Sequence, residues 1–239
     1  MNVTARLTGR RRSRVLRREN QRLADQNTVL RERIAALEYE RTRDQLCPAI
    51  RNRRGFDLAA ADLAARTQDN DTTDYWVGIV DLDDFKDVND RFGHAVGDCV
   101  IQATSGTLLN LFAHSSDRTI VARLGGDEFG FLTNGTGLDA LNIAHYAHML
   151  TVTAEPATCN GLLDQPVTVT MSIGVAAFHP WAPWSMLKHA ADCAMYEAKQ
   201  MHGTGSLVIH TALDGVAVDA RPTSRIRDQR HAHPVPLHA

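Results

Sequence analysis

Cysteine is scarce in this chain of 239 residues, and its four cysteines form no Cys-x-x-Cys pair. Cys47, Cys99, Cys159 and Cys193 stand too far apart in sequence to suggest a zinc ligand set, and reduced thiols are the simpler reading. Long apolar runs are absent as well: none approaches the ~18 residues of a membrane span. The N-terminus is rich in arginine but lacks the apolar stretch of a secretory signal. These absences argue against a disulfide scaffold and a spanning segment, and they predict a cytoplasmic protein. Any membrane contact would then be peripheral.

What is present is one sizeable domain's worth of apolar residues, 44% of the chain, with 23% charged. The net charge of −2 hides an asymmetry. Residues 1–43 hold 12 arginines against 5 acids, a surplus of +7, which leaves −9 for the remainder. A basic arm is joined to an acidic body.

Residues 1–13 read as a basic, disordered arm. From about Arg14 to Asp44 there is neither glycine nor proline, and helix formers dominate. Leu16, Leu23, Leu30 and Leu37 recur every seven residues, with Asn20, Asn27 and Ile34 four places after the first three. Leucine at d with asparagine at a predicts a parallel two-stranded coiled coil over 14–43, and hence a homodimer. The competing reading is an amphipathic helix packed on its own domain. A DNA-binding basic zipper fits less well, because no asparagine lies in the short basic stretch to read a base edge. Weak contact of this arm with nucleic acid or an anionic membrane stays open.

Pro48 is expected to close the first helix. Asn52 to Arg66 reads as a helix, 68–74 as a polar loop, and Tyr75 to Leu82 as a buried strand. Phe85 to Arg91 and Val96 to Ala113 read as helices around a break at Phe92-Gly93-His94. A hairpin over 119–133 follows, then a helix from Leu138 to Thr153. Val167 to Phe178 is a strand with a kink or bulge at Gly174. Trp184 to Met201 is a helix and Leu207 to His210 a last strand. Beyond Asp214 the composition predicts a disordered tail, set at 212–239. Helices alternating with strands, one pair of them a hairpin, predict an α/β (α+β) domain with a mixed βαββαβ sheet.

Two acidic stretches carry the chemistry. Asp81-Leu82-Asp83-Asp84-Phe85-Lys86 ends the buried strand, and Gly125-Gly126-Asp127-Glu128 forms the tip of the hairpin. If the hairpin lies beside that strand, Asp81 and Asp127 converge at one rim of the sheet. Carboxylates suit Mg²⁺, which is commonly held by one or two of them plus substrate phosphates. Two such ions ~3.5–4 Å apart clamp the attacking and leaving oxygens of a phosphoryl displacement. Asp84, Phe85 and Lys86 open a helix, whose free N–H groups and the Lys86 charge suit phosphate oxygens. The blander alternatives are a solvated hairpin tip, and Asp83 and Asp84 serving as helix caps.

The run Asp81-Leu82-Asp83-Asp84-Phe85-Lys86-Asp87-Val88-Asn89-Asp90-Arg91-Phe92-Gly93-His94-Ala95-Val96-Gly97-Asp98, followed by Arg123-Leu124-Gly125-Gly126-Asp127-Glu128-Phe129, closely resembles the GGDEF family, the diguanylate cyclases. Thr168 to Val175 and Ala191-Asp192-Cys193-Ala194-Met195-Tyr196-Glu197-Ala198-Lys199 match further motifs of that family. The resemblance covers about residues 44–211. It implies a cyclase/palm-like fold and synthesis of cyclic di-GMP and pyrophosphate from two GTP, one held by each of two facing domains. It further implies that Asp81, Asp127 and the Leu82 carbonyl hold two Mg²⁺ per half-site, or Mn²⁺ in their place. Glu128 would stand by the metals and the attacking 3′-hydroxyl. Asn89 and Asp98 would recognise guanine, and Lys86 and Lys199 would hold phosphates beside Phe85. His94 and Arg123 match family positions, with turn packing or ion pairing as the alternative for both.

Three departures stand out. The family's Asp-x-Leu-Thr-Gly-Leu-x-Asn-Arg becomes Asp44-Gln45-Leu46-Cys47-Pro48-Ala49-Ile50-Arg51-Asn52-Arg53, with the Asn one place late. Lys-x-x-Gly-Arg becomes Lys199-Gln200-Met201-His202-Gly203, which loses an arginine. The product-inhibition pair Arg-x-x-Asp falls on Ser116 and Thr119 and is absent. None of these removes an expected metal ligand or guanine contact. Against the cyclase stand a module that binds GTP without turnover and a nucleic-acid-associated protein acting through its basic arm.

Overall fold

The structure is a computed structural model that describes residues 3–67, 75–113, 119–146, 150–200 and 205–210. The loop expected at 68–74, the tail at 212–239, Ser116, and Met201 to Gly203 lie outside the described residues.

In chain order the elements are α1 (Val3–Arg41), β1 (Arg51–Asn52), α2 (Arg53–Thr67), β2 (Tyr75–Leu82), α3 (Phe85–Phe92), α4 (His94–Leu111), β3 (Ile120–Gly125), β4 (Glu128–Asn134), α5 (Gly135–Tyr146), β5 (Thr151–Ala154), β6 (Val167–Ala177), α6 (Trp184–Gln200) and β7 (Leu207–His210). The strands form one mixed sheet in the order β1-β3-β4-β2-β6-β5, with β7 also paired to β6. The β1–β3 and β6–β7 pairs are parallel, and the others are antiparallel.

Strand β2 is central because it can be buried on both faces. Val80 and Leu82 point to one side, where they join Phe129, Phe131, Met171 and Ile173 under Val100 and Leu108 of α4. Val77 and Ile79 point to the other, under Phe56 and Leu63 of α2 and Leu187 and Ala191 of α6. The alternation is the two-residue period of a strand. At one end of this buried strand the chain must surface, and that end carries Asp81.

Four expectations are corrected. Helix α1 begins at Val3, so most of the arm expected to be disordered is helical. It ends at Arg41, ahead of Pro48, where Thr42 and Arg43 turn back on the last helical carbonyls. Thr151–Ala154 is a strand, not the end of a helix, because β6 offers its edge to it. With β1, also unforeseen, it brings the mixed sheet to seven strands, while β7 stands where Leu207 to His210 was expected. Finally, Gly174 marks no bulge, since the β2–β6 register runs unbroken through it. A Cβ there would sit 1.9 Å from the Met195 backbone nitrogen, so the glycine lets α6 lie directly on the sheet.

Every described side chain of α1 from Leu16 to Arg41 is exposed. Leu16, Leu23, Leu30, Ile34 and Leu37 are between 44% and 57% accessible, which excludes a helix packed along its own domain.

Candidate active site

The hairpin does lie beside β2. Asp81 pairs across the sheet with Glu128, and the Leu82 N–H donates to the Asp127 carbonyl at 3.4 Å. On the other side Asp81 is paired with Ser172 of β6. Asp81 and Asp127 are 5% and 8% exposed, a degree of burial that isolated carboxylates do not tolerate. Gly125 and Gly126, at φ 147° and 57°, make the tight turn between β3 and β4, where side chains are disfavoured.

Lys199, on the last turn of α6, places Nζ 2.5 Å from Asp81 Oδ1. A cation therefore already sits on this carboxylate. Among the described residues no group of three or more His, Cys, Asp or Glu is gathered to hold a metal. A divalent ion at this rim would complete its shell with water or substrate oxygens, as Mg²⁺ commonly does. Asp81 and Asp127, buried oxygen donors at the adjoining end of β2 and the β3–β4 turn, are of the type such an ion takes.

Asp83 and Asp84 are not side-chain caps. Asp83 accepts hydrogen bonds from Thr170 Oγ1 at 2.6 Å and Ser172 Oγ at 2.7 Å, pinning the end of β2 to β6. Asp84 precedes α3 in a left-handed conformation, φ 51°, and its side chain makes no capping bond. Lys86 is exposed on the first turn of α3, and Phe85 is buried under it.

Asn89 and Asp98 come from two helices joined at Gly93. A Cβ on Gly97 would lie 2.1 Å from Asn89 Oδ1, so the Asn89 amide packs against α4 one residue from Asp98. Asp98 is exposed and borders a cleft of about 540 Å³ that Asp44, Asn52 and Arg123 also line. His94 is exposed at the start of α4. Arg123 ion-pairs with Asp44 at 3.5 Å and donates from Nε to the Gly126 carbonyl at 3.0 Å. Asp44 in turn accepts from the Leu46 and Cys47 N–H groups, so the exit of α1 is tied to the hairpin.

Two neighbours of Glu128 were not singled out from sequence. Arg53 donates from Nε to the Leu124 carbonyl at 2.7 Å and holds Nη2 3.6 Å from Glu128 Oε2. Asp192, on α6, is pushed above the ordinary aspartate range, first by burial and then by the charge of Glu128, with His189 opposing. Only a two-residue strand, β1, signals the placement of Arg53, and it is too short to show a period.

Residues 42–204 match the family model described as diguanylate cyclase, GGDEF domain. The chain belongs to the GGDEF family. A curated relative, the diguanylate cyclase TpbB of Pseudomonas aeruginosa, is 33% identical over 183 residues, which is 75% of this chain and 38% of TpbB. The cyclic di-GMP phosphodiesterase PdeR of Escherichia coli is 35% identical over 137 residues, 56% of this chain and 20% of PdeR. The chain thus spans well under half the length of these relatives. Among solved structures, diguanylate cyclase SiaD in complex with its activator SiaC, from Pseudomonas aeruginosa, superposes with a TM-score of 0.66. It is 24% identical and covers 86% of this chain and 76% of its own, so the likeness is one of fold. No described helix is long and apolar enough to cross a membrane.

Proposed function

We propose that this GGDEF protein is a diguanylate cyclase, joining two GTP into cyclic di-GMP with release of two pyrophosphates. The observation that carries this reading is the pairing of Asp81 with Glu128, with Asp127 hydrogen-bonded to the next residue, at one rim of the sheet. Divalent cations, Mg²⁺ or Mn²⁺, would supply Lewis acidity at the α-phosphate and neutralise charge on the leaving pyrophosphate. Asp81, Asp127 and the Leu82 carbonyl would hold them. Glu128 takes the proton of the attacking 3′-hydroxyl or orients that hydroxyl. Asn89 and Asp98 meet the guanine edge, the amide serving its acceptor and the carboxylate its donors. Lys86 and Lys199 hold the outer phosphates, with Phe85 as the wall beneath.

One domain holds half a reaction. The exposed leucine seam of α1 therefore pairs two chains in a parallel coiled coil over 14–43, raising the effective concentration of the second half-site. Residues 44–211 form the catalytic body. The link of Asp44 to Arg123 ties the end of that coiled coil to the hairpin.

The test is incubation with GTP and Mg²⁺, wild type beside Asp127→Ala. Cyclic di-GMP from the first and none from the second, with both folded, supports the reading. GTP binding with no product from wild type would instead favour a nucleotide-binding signalling module. The stretch shared with PdeR, a protein named for the opposite activity, motivates that alternative.

A further inference from the structure

We propose that Lys199 is the resident counter-ion of Asp81 in the metal-free protein. It leaves that carboxylate when a divalent cation takes it, and the freed ammonium then engages the incoming polyphosphate. The proposal rests on the metal and phosphate roles assigned above, and adds that the two are a single exchange.

The geometry fixes which partner moves. Asp81 lies in the central strand, hydrogen-bonded neighbours on both sides, and its side chain is 6% exposed. Held by the sheet, it cannot swing away from its place at the rim. Lys199 stands one residue before the end of α6, and its side chain is 26% exposed on a flexible four-carbon stem. Its Nζ stands 2.5 Å from Oδ1, and a Mg²⁺ taken by the same carboxylate would lie about 2.0–2.1 Å from one of its oxygens. Two cations held a few ångströms apart on one buried carboxylate repel strongly, because the interior screens poorly. Lysine and metal are therefore competitors at Asp81. The lysine offsets part of the cost of burying that carboxylate, which gives it a structural duty whenever metal is absent. Once displaced, its ammonium lies beside the metal site, where a metal-bound nucleotide carries its phosphates. Cation entry thus arms the phosphate grip, and the empty site stays closed by an internal ion.

The exchange is read without turnover. Mn²⁺ binding followed by electron paramagnetic resonance, and the rise in melting temperature with Mg²⁺, are measured with no nucleotide on wild type, Lys199→Met and Lys199→Gln. Removing a bound competitor raises apparent affinity by the inverse of the fraction of sites it had left free. The expected result is that Lys199→Met melts lower without metal, gains more from Mg²⁺, and binds Mn²⁺ about threefold or more tightly. Lys199→Gln, which keeps a donor for Asp81 but no charge, serves if the methionine variant does not fold. Asp81→Asn is expected to abolish the response in either background. Affinity for a non-hydrolysable GTP analogue with metal present should fall in both lysine variants. Unchanged or weaker Mn²⁺ binding in the lysine variants, or a metal response that survives Asp81→Asn, overturns the exchange. Failure of wild type to make cyclic di-GMP would sink the cyclase reading instead, and leaves the nucleotide-free titration able to judge the exchange.

Discussion

Asp83 accepts the hydroxyl hydrogen of Ser172 at 2.7 Å, and that of Thr170 at 2.6 Å, across sequence separations of 89 and 87. One carboxylate thereby ties the end of β2 to the strand beside it. Hydrogen bonds to a charged group are each worth about 1.5–3 kcal/mol. Asp83→Ala is expected to destabilise the fold by roughly 2–4 kcal/mol, since the two bonds are coupled and only half-buried. Urea unfolding checks this. In a double-mutant cycle with Ser172→Ala, strict additivity would show that the bond contributes nothing.

Arg53 grips the hairpin through the Leu124 carbonyl and the Glu128 carboxylate. If Glu128 handles the 3′-hydroxyl, Arg53→Gln should lower kcat by about tenfold or more, as expected for misplacing a reacting group. KM for GTP should change little, and Arg53→Lys should recover only part of the loss, because an ammonium lacks the guanidinium fork. Steady-state kinetics on the three proteins decide it, and an equal rise in KM would assign Arg53 to substrate binding instead.

Asp192 is held above the usual aspartate range by burial and by Glu128. Its folded pKa exceeds its unfolded one, so the native state binds the proton more tightly. Stability therefore falls as pH rises from the unfolded value through the folded value, and the penalty persists above it. Asp192→Asn should be more stable than wild type at neutral pH. That advantage should shrink as the pH is lowered into the ordinary aspartate range. Thermal melts across pH test the sign, and a constant offset at all pH values would mean that the charge of Asp192 is irrelevant.

The leucine seam of α1 is exposed along its described length. If this seam pairs two chains, Leu23→Asp combined with Leu30→Asp should leave a monomer in sedimentation where wild type runs as a dimer. The body should still melt within a few degrees of wild type, since these side chains touch no core. Cyclic di-GMP formation should then become strongly dependent on protein concentration. A rate independent of concentration in that variant rules out the coiled coil as the dimerising device.

At Gly174 the α6 backbone comes so close that a Cβ would sit 1.9 Å from the Met195 nitrogen. The obstacle is backbone, which cannot rotate away. Gly174→Ala is expected to cost at least about 3 kcal/mol, at the upper end of overpacking effects. A chemical-denaturation midpoint matching that of wild type would show that α6 can retreat without loss.

The buried strand β2 was legible because eight residues suffice to show an apolar run. Its end at Leu82 and the hairpin turn at Gly125-Gly126 followed from the same local rules. The motif positions Asp81, Asp127 and Glu128 stood out for their acids in otherwise apolar surroundings. Less legible were β1 and β5, two and four residues long, whose strand state comes from the edge each is offered and not from their own pattern. The early start of α1 was hidden by Gly9, which lowers local helix propensity, and by clustered arginines whose like charges repel across a helical turn; neither forbids the helix.

By itself the amino-acid order determined which residues face a core, where the chain turns, and that carboxylates stand at two of those turns. Hydrophobic period and glycine freedom act over a few residues, so they can be read along the chain. Only the tertiary structure decided that Lys199 sits on Asp81, that Arg53 and Asp192 bracket Glu128, and that Asp83 braces β6 instead of capping α3. Those are through-space electrostatic and hydrogen-bond relations that fall off within a few ångströms. Their partners lie tens to more than a hundred residues apart, and the stacking of helices on both faces of one sheet brings them together.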